Sequence, residues 1–264
     1  MSALIRSIAN LKETMHLPVK KLLKSGLILS LIAFPFFISG KKQLSSKYAF
    51  TDTSVTVNAA VAEITVAMEA QMLTDSLGLD RKGLSAKALE YALKGYNSLL
   101  AKGIVDKNIL SICDFSQSSS KKRLYIIDML NKKLVVNTYV AHGKNSGSEF
   151  ASSFSNKPES LKSSLGFYVT KSTYQGGHGL SLKIEGLEKG YNDKANFRNI
   201  VVHGSEYVGP DFLKFNACCG RSYGCPAIPS AETPMVIKTI KDGSCLFIYH
   251  PNKDYLRNSK LINS

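Results

Sequence analysis

Two signatures of metal and redox chemistry are missing from this chain of 264 residues: it has no Cys-x-x-Cys pair and no His-Glu-x-x-His. The first absence leaves a zinc ribbon or a thioredoxin-type site unsupported, and the second removes the commonest zinc helix of hydrolases. His142, His178, His203 and His250 are the scattered remainder of a metal reading, without a tight ligand pair. No metal and no cofactor is expected. Acidic residues are also short, 20 against 34 basic, for a formal net charge of +14. Such a balance suits a solvated basic surface or an anionic partner. The basic residues are spread along the chain, with no zinc-finger spacing, RNP-type strand or basic helix, so nucleic acid is not the expected partner. There is no internal repeat and no heptad array.

No apolar run reaches a comfortable membrane span either. The longest, GLILSLIAFPFFISG at 26–40, has an apolar core of about 14 residues, the length of a secretory h-region. Lys20, Lys21 and Lys24 precede it, Lys41 and Lys42 follow, and Pro35 interrupts it, which argues against a buried core helix. The expectation is export to the periplasm or cell envelope. Residues 1–25 form a basic N-terminal segment, and 26–40 act as a signal peptide h-region or a retained N-terminal membrane anchor. The basic residues keep that end cytoplasmic.

Residues 41–60 are small and polar and read as a linker. Residues 61–112 read as a helical segment. In LSAKALEYALKGYNSLLAKG, polar residues recur at three- to four-residue steps, Ser85 can cap the start and Gly103 suits the end. Gly95 weakens that helix and would permit close packing. From there RLYIIDML, LVVNTYVAH, GFYVT, LSLKI, NIVVH and CLFIY are short β-branched and aromatic runs separated by Gly- and Ser-rich stretches. They define a mainly β domain over 113–253, with 254–264 as a C-terminal tail. Five cysteines (Cys113, Cys218, Cys219, Cys225 and Cys245) in an exported chain leave at least one free thiol, and two disulfides beside a free Cys225 is one arrangement open to them.

The stretch GRSYGCPAIP at 220–229 holds one cysteine between a glycine and a proline. Gly224 allows a close approach or a positive φ, and Pro226 fixes the chain on the other side. His203 closes the strong strand NIVVH and would be delivered to a sheet end. A thiol with pKa about 8.5 is mostly protonated at neutral pH, and an adjacent imidazole can take its proton for acyl transfer. The turn would also aim backbone N–H groups at one point, as an oxyanion hole requires.

VVHGSEYV and GRSYGCPAIP together resemble the His-Gly and Ser-x-Gly-Cys elements of the L,D-transpeptidase catalytic domain. The run from about 84 to 250 resembles the exported murein branch of that family, through ALKGYNSL, DFSQSSSKKRLYIIDM, AHGKNSG, FSNKPESLKSSLGFY, SLKIEGLEKGYNDKANFRNIVVHG and GRSYGCPA. The resemblance implies an α+β chain overall, with a β-sandwich catalytic domain behind a small helical segment. It implies peptidoglycan stem peptides as substrate, in an anionic cell envelope. Cys225 carries over as the nucleophile and His203 as general base. Ser222, Tyr223 and Gly224 carry over as the oxyanion turn. Family members commonly have His before Gly-Cys, where this chain has Tyr223, and a basic or amide residue after the cysteine, where this chain has PAIP. Arg221, His142 and His178 are the substrate-binding candidates that would take over those roles. An L,D-carboxypeptidase using the same site, or a catalytically silent wall-binding module, are the alternatives.

Overall fold

The computed structural model describes residues 53–263, with side chains from residue 64 onward. The basic N-terminal segment and the h-region or anchor lie outside the described residues. Among those described, no helix is long and apolar enough to cross a membrane. The first helix, α1 (Thr53–Leu77), begins inside the stretch read as a linker. It packs on α2 (Ala86–Ala101).

α2 is bounded as its sequence dictates. Ser85 Oγ accepts from Ala88 N at 3.1 Å, and Gly103 sits at φ +64° where the chain turns away. Ala88, Leu89, Ala92, Leu93, Tyr96 and Leu99 form its buried face. Gly95 lies on that face because nothing larger fits: a Cβ there would be 2.0 Å from Phe167 Cζ. The Phe167 ring is stacked on Phe247 at 4.1 Å, so it is held from its other side.

The strands are β1 (Ile109–Asp114), β2 (Leu124–Asp128), β3 (Lys133–Thr138), β4 (Gly166–Gly176), β5 (Gly179–Gly186), β6 (Val201–Ser205), β7 (Ala227–Pro229) and β8 (Cys245–Tyr249). They form one sheet in the order β3-β2-β1-β8-β4-β5-β6-β7. β1–β8 and β6–β7 are parallel and the other pairs antiparallel. Past β3 the chain bridges from Ala141 to Ala227 of β7, so the two edges of the sheet return to each other and the architecture is barrel-like. A mainly β domain behind a helical segment is thus what the chain adopts, with the strands in one closing sheet.

The central strands β1 and β8 are nearly continuous apolar runs, as expected of strands covered on both faces. α2 packs on both, and beyond the short α3 (Pro210–Leu213), α4 (Thr233–Ile240) packs on β1, β5 and β6. The stretch read as a C-terminal tail is docked. After α5 (Lys253–Asn258), Leu261 and Ile262 are buried, and within α5 Tyr255 is completely so. Buried Glu188 holds that segment by accepting from Tyr255 Oη at 2.7 Å, from Ser259 Oγ and from Phe167 N.

All five cysteines are free thiols. Cys113 and Cys245 lie on neighbouring strands, but Leu110 is the residue opposite Cys245, three positions from Cys113. That offset exceeds the reach of a disulfide.

Candidate active site

β6, β7 and the turn before β7 position the site. His203 is the middle residue of β6, not its end, because β6 continues to Ser205 against β7. Its register partner on β7 is Ala227, and Cys225 precedes Ala227 by two residues. The Cys225 Sγ sits where the next ladder acceptor would be: Val201 N donates to it at 3.5 Å, and Sγ lies 3.7 Å from Asn199 O. Thiol and imidazole therefore stand on adjacent chains one strand repeat apart, roughly 7 Å along the strand. No hydrogen bond joins them among the described residues.

The protonation states follow from the surroundings. His203 Nδ1 is 2.9 Å from Gly204 O, and a carbonyl only accepts, so Nδ1 carries the proton and Nε2 the lone pair. Burial, and to a smaller extent the charge of His178, hold His203 below the ordinary imidazole value. It is neutral at neutral pH and able to take a proton. Burial pushes the Cys225 thiol up, against the opposing pull of Val201 N–H and Arg198. The thiol is therefore protonated at rest and needs a base.

The turn is locked by its own side chains. Ser222 Oγ donates to Cys225 O at 2.6 Å and accepts from Gly224 N at 3.1 Å. Ser163 Oγ donates to Gly224 O at 3.1 Å. Gly224 has φ +129°, and a Cβ there would lie 2.8 Å from Lys162 O, so both reasons for a glycine hold at once. One expectation needs correction. The Gly224 N–H is not an oxyanion donor, because Ser222 Oγ occupies it. The Tyr223 N–H has no acceptor among the described residues, while the Cys225 N–H faces its own sulfur. Tyr223 exposes its ring to solvent.

The three substrate-binding candidates separate. His178 is exposed at the tip of the β4–β5 hairpin, and its ring stacks on His203 at 4.3 Å and 19°. Arg221 is exposed, with Nη1 3.5 Å from Gly147 O. His142 is a second correction: it is fully buried, and both ring nitrogens are engaged. Arg123 Nη2 donates to its Nδ1 at 2.7 Å, and its Nε2 donates to Gly147 O at 3.3 Å. Burial and then the Arg123 charge hold it down to about 4. It braces the loop under Arg221 and cannot touch a ligand in this conformation. Arg123 itself is fully buried, its guanidinium 4.9 Å from the Phe115 ring.

Two residues beside Cys225 were not singled out for the site from the sequence. Ser163 ties Gly143 N and Gly224 O together through its hydroxyl. Arg198 lies directly behind the turn, with Nη2 3.2 Å from the position of a Gly224 Cβ. A cavity of about 370 Å³ elsewhere, between α2, the 187–191 turn and the C-terminal segment, is lined by none of the site residues. Among the described residues no cluster of His, Cys, Asp and Glu could hold a metal ion.

A family model described as the L,D-transpeptidase catalytic domain matches residues 80–249. No curated protein matches the chain. Among solved structures, similarity is found to an L,D-transpeptidase from Mycobacterium smegmatis at 8% identity and TM-score 0.34, over 54% of this chain and 59% of that one. An L,D-transpeptidase from Mycobacterium tuberculosis H37Rv matches at 11% and 0.32, over 54% and 58%. The helical cell shape determining protein Pgp2 from Campylobacter jejuni matches at 15% and 0.31, over 60% and 56%. Each of these matches covers less than two thirds of the solved chain.

Proposed function

Because the chain belongs to the L,D-transpeptidase catalytic domain family, we propose that it is a cysteine-dependent L,D-transpeptidase acting on peptidoglycan stem peptides in the cell envelope. The observation that carries this reading is the placement of Cys225 on the locked turn, one strand repeat from a neutral His203.

Rotation about the Cys225 Cα–Cβ bond moves Sγ from Val201 N–H toward His203 Nε2. As Sγ attacks the carbonyl carbon of the third stem residue, Nε2 takes the thiol proton and an oxyanion forms. Tyr223 N–H and Cys225 N–H face that oxyanion. Collapse breaks the amide bond to the terminal D-alanine, whose nitrogen takes the proton back from His203. The product is a thioester on Cys225. An amine from a second stem then attacks the thioester and loses its proton to His203; the C–S bond breaks, the Cys225 sulfur takes that proton back, and the product is a 3→3 cross-link. Water in place of the amine would give tripeptide, the carboxypeptidase outcome. Arg221 and His178 are the exposed polar groups available to the stem peptide.

The test incubates the full chain, and a Cys225→Ala control, with purified disaccharide-tetrapeptide and reads the products by mass spectrometry. A new 3→3 dimer with released D-alanine, absent in the control, is expected. Tripeptide monomer alone would replace transpeptidation with hydrolysis. Unchanged substrate with both proteins would point to a silent wall-binding module. An N-terminal leader or anchor over 26–40 is part of the same proposal, since the substrate lies outside the cytoplasm.

A further inference from the structure

We propose that Arg198 is a positioning residue that supplies a fixed positive charge to the Cys225 thiolate. Arg198 stands in the tight turns leading into β6, where Arg198 N bonds Lys194 O at 2.9 Å. Its neighbour Asn199 supplies the carbonyl that faces the thiol. The guanidinium reaches back under the nucleophile turn. Nη2 donates to Lys162 O at 2.6 Å and to Ser160 Oγ at 3.2 Å, and Nη1 donates to Ser155 O at 2.8 Å and to Ser164 Oγ.

Every one of these acceptors is neutral. Among the described residues no carboxylate pairs with Arg198, and its Nε is buried without a hydrogen-bond partner. Arg198 is partly buried, and a half-desolvated cation held only by neutral acceptors is suited to meet an anion. Cys225 directly follows Gly224, against whose backbone Nη2 packs. The other groups around Cys225 are His203, His178 stacked on it, Tyr207 and Tyr223, none of which bears a permanent positive charge. The mutual electrostatic influence of Arg198 and Cys225 agrees with this geometry. In mechanistic terms, His203 takes the proton and Arg198 stabilises the negative charge that develops on sulfur as it does so.

The inference rests on the cysteine reading of the site, but its test needs no turnover. The full chain, Arg198→Gln and Arg198→Lys are alkylated with iodoacetamide between pH 6 and 9.5, and the rate at Cys225 is read peptide by peptide. Half-buried Cys218 serves as internal control. Loss of the charge is expected to lower the Cys225 rate at pH 7 on the order of tenfold and to move its profile to higher pH. Arg198→Lys, which keeps the charge and drops the fork of bonds, is expected to stay within about threefold of wild type. Cys218 is expected not to change. A Cys225 profile in Arg198→Gln that superposes on wild type overturns the proposal. If that variant does not fold, Arg198→Lys decides alone: a folded protein whose Cys225 rate falls tenfold shows that Arg198 is only a brace for residues 155–164. Failure of the function itself would show separately, as muropeptide left unchanged by a wild-type protein whose Cys225 alkylates normally.

Discussion

Ser222→Ala is the substitution that most directly probes how the nucleophile is held. Its hydroxyl is 5% exposed with its residue and makes two bonds inside the turn, one to Cys225 O and one from Gly224 N. Alanine keeps the backbone conformation accessible but removes both. The Gly224 N–H is then a buried donor without an acceptor, at a cost of about 1–3 kcal/mol, and the loss of the bond to Cys225 O adds roughly 1 kcal/mol. A total near 3 kcal/mol lowers the melting temperature by about 6–12 °C for a domain of this size. The released Cys225 also gains freedom, and a misplacement of about 1 Å costs roughly 100-fold in kcat/KM. Ser222→Thr keeps the oxygen and should recover most of both losses. Thermal melts and muropeptide turnover of the three proteins check this. A Ser222→Ala protein that melts and turns over like wild type would refute the idea that the serine hydroxyl builds the turn.

Three further outcomes are expected. Gly95→Ala gains about 1 kcal/mol of helix propensity, but its Cβ overlaps a Phe167 ring already stacked on Phe247; overpacking of about 1–3 kcal/mol should win, and a rise in melting temperature would contradict the packing. His142 is held at about 4 against its ordinary 6.5, so the unfolded chain binds the extra proton between those values; stability present above pH 6.5 is lost as pH falls toward 4, by up to roughly 3 kcal/mol, and His142→Asn should flatten melting curves over that window. His178 lowers the pKa of His203 and is itself exposed, so His178→Ala should leave the melting temperature unchanged while moving the acid limb of the kcat/KM profile to higher pH; an unmoved limb would show that the stacked ring has no electrostatic hold on His203.

Much of the fold is written locally. Ser85 and Gly103 mark the ends of α2 because capping is a short-range matter, and the apolar runs of β4, β5, β6 and β8 announce strands with no reference to their partners. β1 is less legible, since ILSICD directly follows a helical stretch and both of its faces are covered. β7 is three residues long and is a strand only because β6 lies beside it. Cys225 and the glycine before it stand out because a tight turn imposes rules on its own residues. His142 could not be sorted from His203 by its neighbours, as both precede a glycine; its partner, Arg123, is the residue just before β2 and distant in sequence. Arg198 was invisible for the same reason, because all the acceptors that hold it come from residues 155–164.

The central claim is that Cys225 forms a covalent acyl-enzyme, and intact-protein mass spectrometry after brief exposure to disaccharide-tetrapeptide and acid quench tests it most directly. The account predicts a wild-type mass increased by the substrate less its terminal D-alanine, localised to Cys225 by peptide mapping. His203→Ala should show the adduct only slowly, and Cys225→Ala not at all. An adduct on another residue, or D-alanine released with Cys225 replaced by alanine, would contradict it.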